Sequence, residues 1–186
     1  TSLDLSEQPE EVQLAFYGAL FAMSGVDGEV ERDEIYAVFE VLESGDLSED
    51  ARRRLRSFVV EPPELEEALS RLVGADETLR YAAMINLVEV ARADDLVTDD
   101  EDEGLALAQK KLGVSDEERA EIENFVDEMQ KVRERGVDDD RAAEAVQSAV
   151  AGLAGVGVPV AAISVSGSIA GLSAAGITSG LAALGI

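Results

Sequence analysis

ALFAMSGVDGEVERDEIYAVFEVL, residues 19–42, holds an apolar run, a short acidic turn, and an acid-rich lead into a second apolar pattern. The run belongs to residues 12–23, VQLAFYGALFAM, which are hydrophobic nearly all round, as a helix buried on every side must be. Beyond the turn, Ile35, Val38, Phe39 and Leu42 recur at helical spacing and predict a second helix after Val30. The turn also reads as half of a calcium loop. Asp27, Gly28, Val30 and Glu34 suit its fifth, sixth, eighth and twelfth positions, whereas Met23 and Gly25 at the first and third bring no side-chain oxygen. That argues against an EF-hand and leaves a turn with either capping duties or some affinity for cations.

A shift of 67 residues lays this unit on a second copy. Ala15, Leu20, Asp27, Val30, Asp33 and Glu34 fall on Ala82, Leu87, Asp94, Val97, Asp100 and Glu101. Each copy has a buried helix, an acidic turn, one aliphatic residue and an acidic helix start, so two helical hairpins can pack their apolar first helices together. Helix punctuation covers the rest of this region. Pro9 suits a first helical position, Ser48 caps the helix that carries ARRRLR, and Pro62 and Pro63 open another that stops at Gly74. Asp76 precedes the second apolar helix. Thr98 with Glu101, and Ser115 with Glu118, have capping-box spacing, and Gly113 ends the helix between them. No stretch alternates at period two. The prediction is an all-α protein.

The quoted stretch, together with LVEVARADDLVTDDEDEGLALAQKKLGVSDEE at residues 87–118, resembles the TerB-like family. That family is named for tellurite resistance and also occurs at the N-terminus of the membrane-anchored co-chaperone DjlA. The resemblance spans about residues 10–135, and KKLGVSDEE is its most specific piece. Asp95 and Leu96 depart from the family pattern, which usually has Gly and then an acid. The resemblance implies a TerB-like bundle of two pseudo-repeated hairpins with an acidic surface. It also implies a place in chemical-stress and phage-defence systems near membranes, with protein partners there and, in some members, divalent cations. Carried over by position, Asp27, Glu34, Asp94 and Glu101 are the family-type acids, and Asp33 and Asp100 adjoin them. These six are the candidate ligands for calcium or magnesium. The competing reading is that acids in a first helical turn favour the macrodipole and that Glu101 only completes the cap of Thr98.

Composition narrows the chemistry further. The 186 residues include no Cys and no His, which excludes disulfides, thiolate nucleophiles, His-based proton transfer and the usual zinc sites. Any metal would be a hard cation on oxygen, and the residue set points away from an enzyme. The net charge of −25 gives nucleic acid no basic footprint. In ARRRLRSF, residues 51–58, the arginines are either a docking patch for an acidic partner or anionic lipid, or the counter-charges of neighbouring carboxylates.

All of that net charge lies in residues 1–140, and the composition changes across GVDDDRAAE at residues 136–144. Beyond Glu144, residues 145–186 carry none and are rich in Ala, Gly, Ser and aliphatics. The expected division is therefore an acidic domain over 1–136 and an uncharged C-terminal segment over 137–186, folded as one hydrophobic helix or a helical hairpin. Pro159 and the cluster Gly152, Gly155 and Gly157 should break an apolar helix over residues 139–156. Residues 160–186 would extend about 40 Å as a helix, enough to cross a bilayer core of about 30 Å. Gly167 and Gly171, and Gly176 and Gly180, have the four-residue spacing that lets helices approach in lipid. Burial in a homo-oligomer is the alternative. The overall expectation is a non-enzymatic, membrane-associated stress or defence module with its acidic domain on the cytoplasmic side. The rival expectation is a membrane-perturbing effector whose tail permeabilises bilayers under the control of that domain.

Overall fold

The computed structural model describes residues 5–25, 47–92, 97–135 and 140–167. A short 3-10 turn, Leu5–Glu7, leads into α1 (Glu10–Ser24), followed by α2 (Glu49–Ser57), α3 (Leu65–Leu72), α4 (Glu77–Ala91), α5 (Asp99–Leu112), α6 (Asp116–Arg135), α7 (Asp140–Gly155) and α8 (Val160–Gly167). Among the described residues there is no strand. The expected all-α bundle is the observed one. The predicted helix after Val30, with Ile35, Val38, Phe39 and Leu42, lies outside the described residues.

The repeat is legible in the backbone. α1 and α4 are both 15 residues long, and the 67-residue shift carries Glu10–Ser24 onto Glu77–Ala91. The two helices pack on each other, as two apolar first helices should. α4 is the central element, with α1, α5, α6 and α8 around it. That explains why Leu79, Met84, Ile85, Leu87 and Val88 are all buried although they do not share one face. The outer helices follow the narrower rule of one buried stripe. In α6 it is Ile122, Phe125, Val126 and Met129; in α7 it is Ala142, Val146, Ala149, Val150 and Leu153.

Local signals end the helices where the sequence places them. Ser48 accepts a hydrogen bond from the Ala51 amide and caps α2, and its hydroxyl also donates to Glu10, which ties α2 to the start of α1. Asp76 accepts from the Thr78 amide at 2.8 Å. Ser115 and Glu118 form a reciprocal box at the head of α6, with Ser115 N donating to Glu118 Oε2 at 2.7 Å and Glu118 N to Ser115 Oγ at 3.2 Å. Gly113 closes α5 in the left-handed conformation (φ 73°, ψ 34°), which a Cβ would strain. Pro9 differs from expectation. It is the N-cap of α1, with φ −52° and ψ 140°, and not its first helical residue. Its extended ψ directs the preceding turn back across the helix end, where Gln13 donates to the carbonyls of Ser6 and Gln8.

The hydrophobic core runs on past the change in composition. α7 packs on α6 and α8 on α4, and Val146, Ala149, Val150, Leu153, Val158, Ala162 and Ile163 share one core with α1 and α4. Gly157, at φ 98°, and Pro159 break the chain between α7 and α8 as expected, whereas Gly152 lies within α7 and Gly155 is its last residue. Among the described residues no helix is long and apolar enough to cross a membrane. Gly167 ends α8, while Gly171, Gly176 and Gly180 lie outside the described residues.

Candidate functional site

Of the six candidate cation ligands, Asp27, Asp33, Glu34 and Asp94 lie outside the described residues. The other two, Asp100 and Glu101, are neighbours in the first turn of α5 and have opposite fates. Glu101 is 4% exposed. Its Oε2 accepts from the Thr98 amide at 2.7 Å and from the Thr98 hydroxyl at 2.9 Å, while its own amide donates to Thr98 Oγ1 at 3.2 Å. This is the complete capping box, so Glu101 holds the helix start. Asp100 faces solvent, as does Asp99. Among the described residues no group of three or more carboxylates is placed to hold a metal ion. The described acids of this turn therefore do not make a cation site by themselves.

Sequence reasoning did not foresee the ion pairs that join α4, α5 and α6. Arg92, the C-cap of α4, reaches α6, where its Nη2 stands 3.2 Å from Glu123 and its Nη1 donates to Asp127. Arg119 meets the same carboxylate from the other side. Its Nε donates to Glu123 Oε1 at 2.8 Å and its Nη2 to Asp102 Oδ1 at 2.6 Å, on the far flank of the turn. Glu123 thus bridges two guanidiniums, Arg92 from α4 and Arg119 from its own helix, and this clamp ties α6 to the end of α4 and, through Asp102, to the first turn of α5. The side chains of Arg92, Arg119 and Glu123 are 22%, 17% and 25% exposed, so solvent screens these pairs less than surface ones. Burial opposes the Arg119 charge, but the hydrogen bonds to Glu123 and Asp102 outweigh it and raise the guanidinium pKa. The four-residue spacing of Arg119 and Glu123 was visible in the sequence. Their meeting with Arg92 was not, because it depends on how α4 and α6 cross.

A second polar contact sits in the first turn of α6, one residue before Arg119. Tyr81 donates to Glu118 Oε1 at 2.7 Å. Burial, then the hydrogen bond and the charge of Glu118, push the tyrosine pKa to about 12. Glu118 is itself partly buried, which would raise its pKa, yet the hydrogen bonds from Tyr81 and Ser115 prevail and lower it.

Two of the four arginines of ARRRLRSF, Arg53 and Arg54, are paired with carboxylates. Arg53 pairs with Asp50 at 3.4 Å and Arg54 with Glu11 at 2.6 Å. Arg71 of α3 shares Glu11 at 2.9 Å and also holds Glu67 at 3.0 Å.

With this geometry in place, the comparison with known families is informative. The model of the tellurite resistance protein TerB family matches residues 13–124, from α1 into α6. The chain belongs to the TerB family. Comparison with curated proteins and with solved structures gave no match. The TerB domain is a non-catalytic helical type, and its matched span contains both copies of the repeat and Arg92, Arg119 and Glu123 of the clamp, while α7 and α8 lie beyond it.

Proposed function

We propose that this TerB domain is a non-catalytic binding module in a stress or defence system, taking a positively charged ligand at its acidic turns. The ligand class is a basic segment of a protein partner or a hard divalent cation, calcium or magnesium. One observation carries the reading. In the first turn of α5 the clamp and the cap engage Asp102 and Glu101, and leave Asp99 and Asp100 facing solvent on a capped helix start. An exposed pair of like charges on a preformed helix start suits an incoming cation, because less ordering remains to be done on binding. The part of the proposal that concerns metal rests on the sequence register of Asp27, Asp33, Glu34 and Asp94 beside Asp100.

Location falls to the uncharged C-terminal stretch. Since the aliphatics up to Ile163 belong to the core, residues 168–186 are the part we assign to a membrane or to a homo-oligomer, with the acidic domain on the cytoplasmic side. As a helix those residues would extend about 28 Å, close to the thickness of a bilayer core.

Calorimetry on the full chain tests the ligand. Calcium chloride and a Lys/Arg-rich peptide should each release or absorb heat, and this should disappear in a chain carrying Asp27→Asn, Asp94→Asn and Asp100→Asn. No heat from millimolar calcium ends the metal reading, and none from the peptide as well ends the proposal. Co-sedimentation with liposomes, compared with a chain lacking residues 168–186, tests location while keeping every described core residue. Equal sedimentation of the two chains would show that the tail does not anchor the protein.

A further inference from the structure

The 67-residue repeat extends to a third helix. It lays α2 on the first half of α6, with Ser48 on Ser115, Arg52 on Arg119, Leu55 on Ile122 and Phe58 on Phe125. Ser48 and Ser115 both cap their helices, Leu55 and Ile122 are both fully buried, and α2 packs on α1 as α6 packs on α4. The copies part at the ionic clamp. Arg119 is paired with Glu123 and Asp102, and Arg92 shares Glu123 with it. In the first copy the same register has Arg56 in place of Glu123, Ile35 in place of Asp102 and Gly25 in place of Arg92. Arg52, the counterpart of Arg119, thus keeps its helix position and loses both carboxylates. Its Nε is buried without a hydrogen-bond partner. Arg80 and Arg92 leave the same atom unbonded, but their Nη1 atoms donate to Leu112 and Asp127. Among the described residues the side chains of Arg52 and Arg56 form no hydrogen bond and no ion pair, whereas Arg53 and Arg54 between them are both paired.

We propose that Arg52 and Arg56 form a binding site for one carboxylate group supplied from outside the fold. The clamp of the second copy is two guanidiniums bridged by a carboxylate; the first copy has two guanidiniums and no carboxylate. Arg52 and Arg56 are four residues apart, neighbours on one helical face, and can hold a single group between them. By itself the pair is unfavourable twice over. Like charges one turn apart repel, and the half-buried Arg52 guanidinium lacks the hydrogen bonds that offset burial. A carboxylate relieves both, because the planar fork of a guanidinium matches its two oxygens. The chain has 40 acids against 15 basic residues, so a shortage of carboxylates is not what leaves these two arginines unpaired. The described acids around α2 are directed elsewhere: Asp50 meets Arg53, Glu11 meets Arg54, and Glu10 accepts from Ser48. Glu49, in the first turn, is exposed and pairs with neither arginine. The ligand is an anion, so this site is separate from the acidic turns, and the failure of either reading leaves the other standing.

NMR of the isotopically labelled full chain tests it, with ionic strength held constant by sodium chloride. The probes are sodium malonate, a small free carboxylate, and a Gly/Ser peptide with blocked ends that carries one Glu. The Arg52 Nε–H signal, assigned by its loss in Arg52→Gln, should shift saturably with at least one probe. Affinity should fall about tenfold or more in Arg56→Gln, which removes one of the two charge-assisted contacts. Arg56→Glu writes the second copy's pattern into the first; its carboxylate should pair with Arg52 and abolish the response to both probes. Arg53→Gln, which removes an arginine already paired with Asp50, should leave the response unchanged. Circular dichroism shows that each variant is folded, and Arg56 is exposed, so its replacement leaves the core intact. A response to malonate alone identifies a small carboxylate as the ligand, and tighter binding of the peptide identifies an acidic side chain of a partner protein. An Arg52 signal that answers neither probe, or answers added chloride equally, overturns the proposal. So does undiminished binding by Arg56→Glu, and so does an equal loss in Arg53→Gln, which would mean general attraction to α2.

Discussion

α1 and α4 are equally long, largely apolar and aligned by the 67-residue shift, yet each is surrounded and terminated differently. Position 18 in the first copy is Gly, and Pro63 and Phe58 occupy the space its side chain would need. Position 85 in the second copy is Ile, fully buried among α4's neighbours. At the C-terminal ends, Gly25 closes α1 with Pro62 nearby, while Arg92 closes α4 and runs into an ionic clamp. Burial on all sides is thus shared by the copies, and single positions decide what does the burying. The first helix is flanked by the prolines of the α2–α3 connection; the second ends at an arginine that shares a carboxylate with Arg119.

This difference can be tested by exchanging its parts, beginning with the largest effect. Ile85→Ala should destabilise the fold by about 2–5 kcal/mol, because a fully buried branched side chain leaves a cavity in a packed interior. Urea unfolding would measure it. Gly18→Ala should cost about 1–3 kcal/mol by overpacking against Pro63. A neutral or stabilising Gly18→Ala would show that the proline moves aside freely and that the two copies differ less than their neighbours suggest.

Removing the bridge should come next. Glu123→Ala deprives Arg92 and Arg119 of their shared carboxylate and should cost about 2 kcal/mol, the scale of hydrogen bonds to partly buried charges. Amide exchange at the start of α5 should quicken with it; unchanged exchange there would mean that the clamp does not hold the turn. Thr98→Ala, which removes the cap, should cost about 1 kcal/mol. The neighbouring Asp100→Asn should stay within about 0.5 kcal/mol, since its side chain faces solvent. A large stability loss from Asp100→Asn would give that residue a structural role that the proposed ligand site does not need.

The smallest effect is one of pH. The Tyr81 hydroxyl is raised in the folded protein from 10.0 to about 12, so the unfolded chain loses this proton first as the solution becomes alkaline. Its stabilising contribution is complete below pH 10 and disappears as pH rises through about 12. Tyr81→Phe should flatten the stability profile across that window. Glu118 is shifted in the other direction, so its contribution is present above the ordinary carboxylate range and lost as pH falls through the lowered value. A Tyr81→Phe profile that still declines equally steeply between pH 10 and 12 would remove the Tyr81–Glu118 pair from this account.

The helices and their caps were readable beforehand because their causes are local. Ser48, Asp76, Thr98 and Ser115 each meet a partner two or three residues away, and Gly113 answers only to its own backbone. For the same reason Glu101 serves the cap of Thr98: its partner is three residues away and present as soon as the turn forms. The repeat was readable too, since it rests on pattern and spacing. Neither the clamp nor the Glu11 bridge was readable. Arg54 and Arg71 meet Glu11 across 43 and 60 residues, and Arg92 meets Asp127 across 35.

What the sequence determined alone was an all-helical TerB chain with two similar apolar helices, capped at predictable places and strongly negative before an uncharged end. Tertiary structure decided which charges are paired, which acids remain exposed, and that the uncharged stretch as far as Ile163 belongs to the same core as α1 and α4. The physical reason is range. Backbone propensity, capping and amphipathic period act within a few residues of chain, whereas ion pairing and core membership depend on which helices cross, a choice made by the packing of the whole molecule.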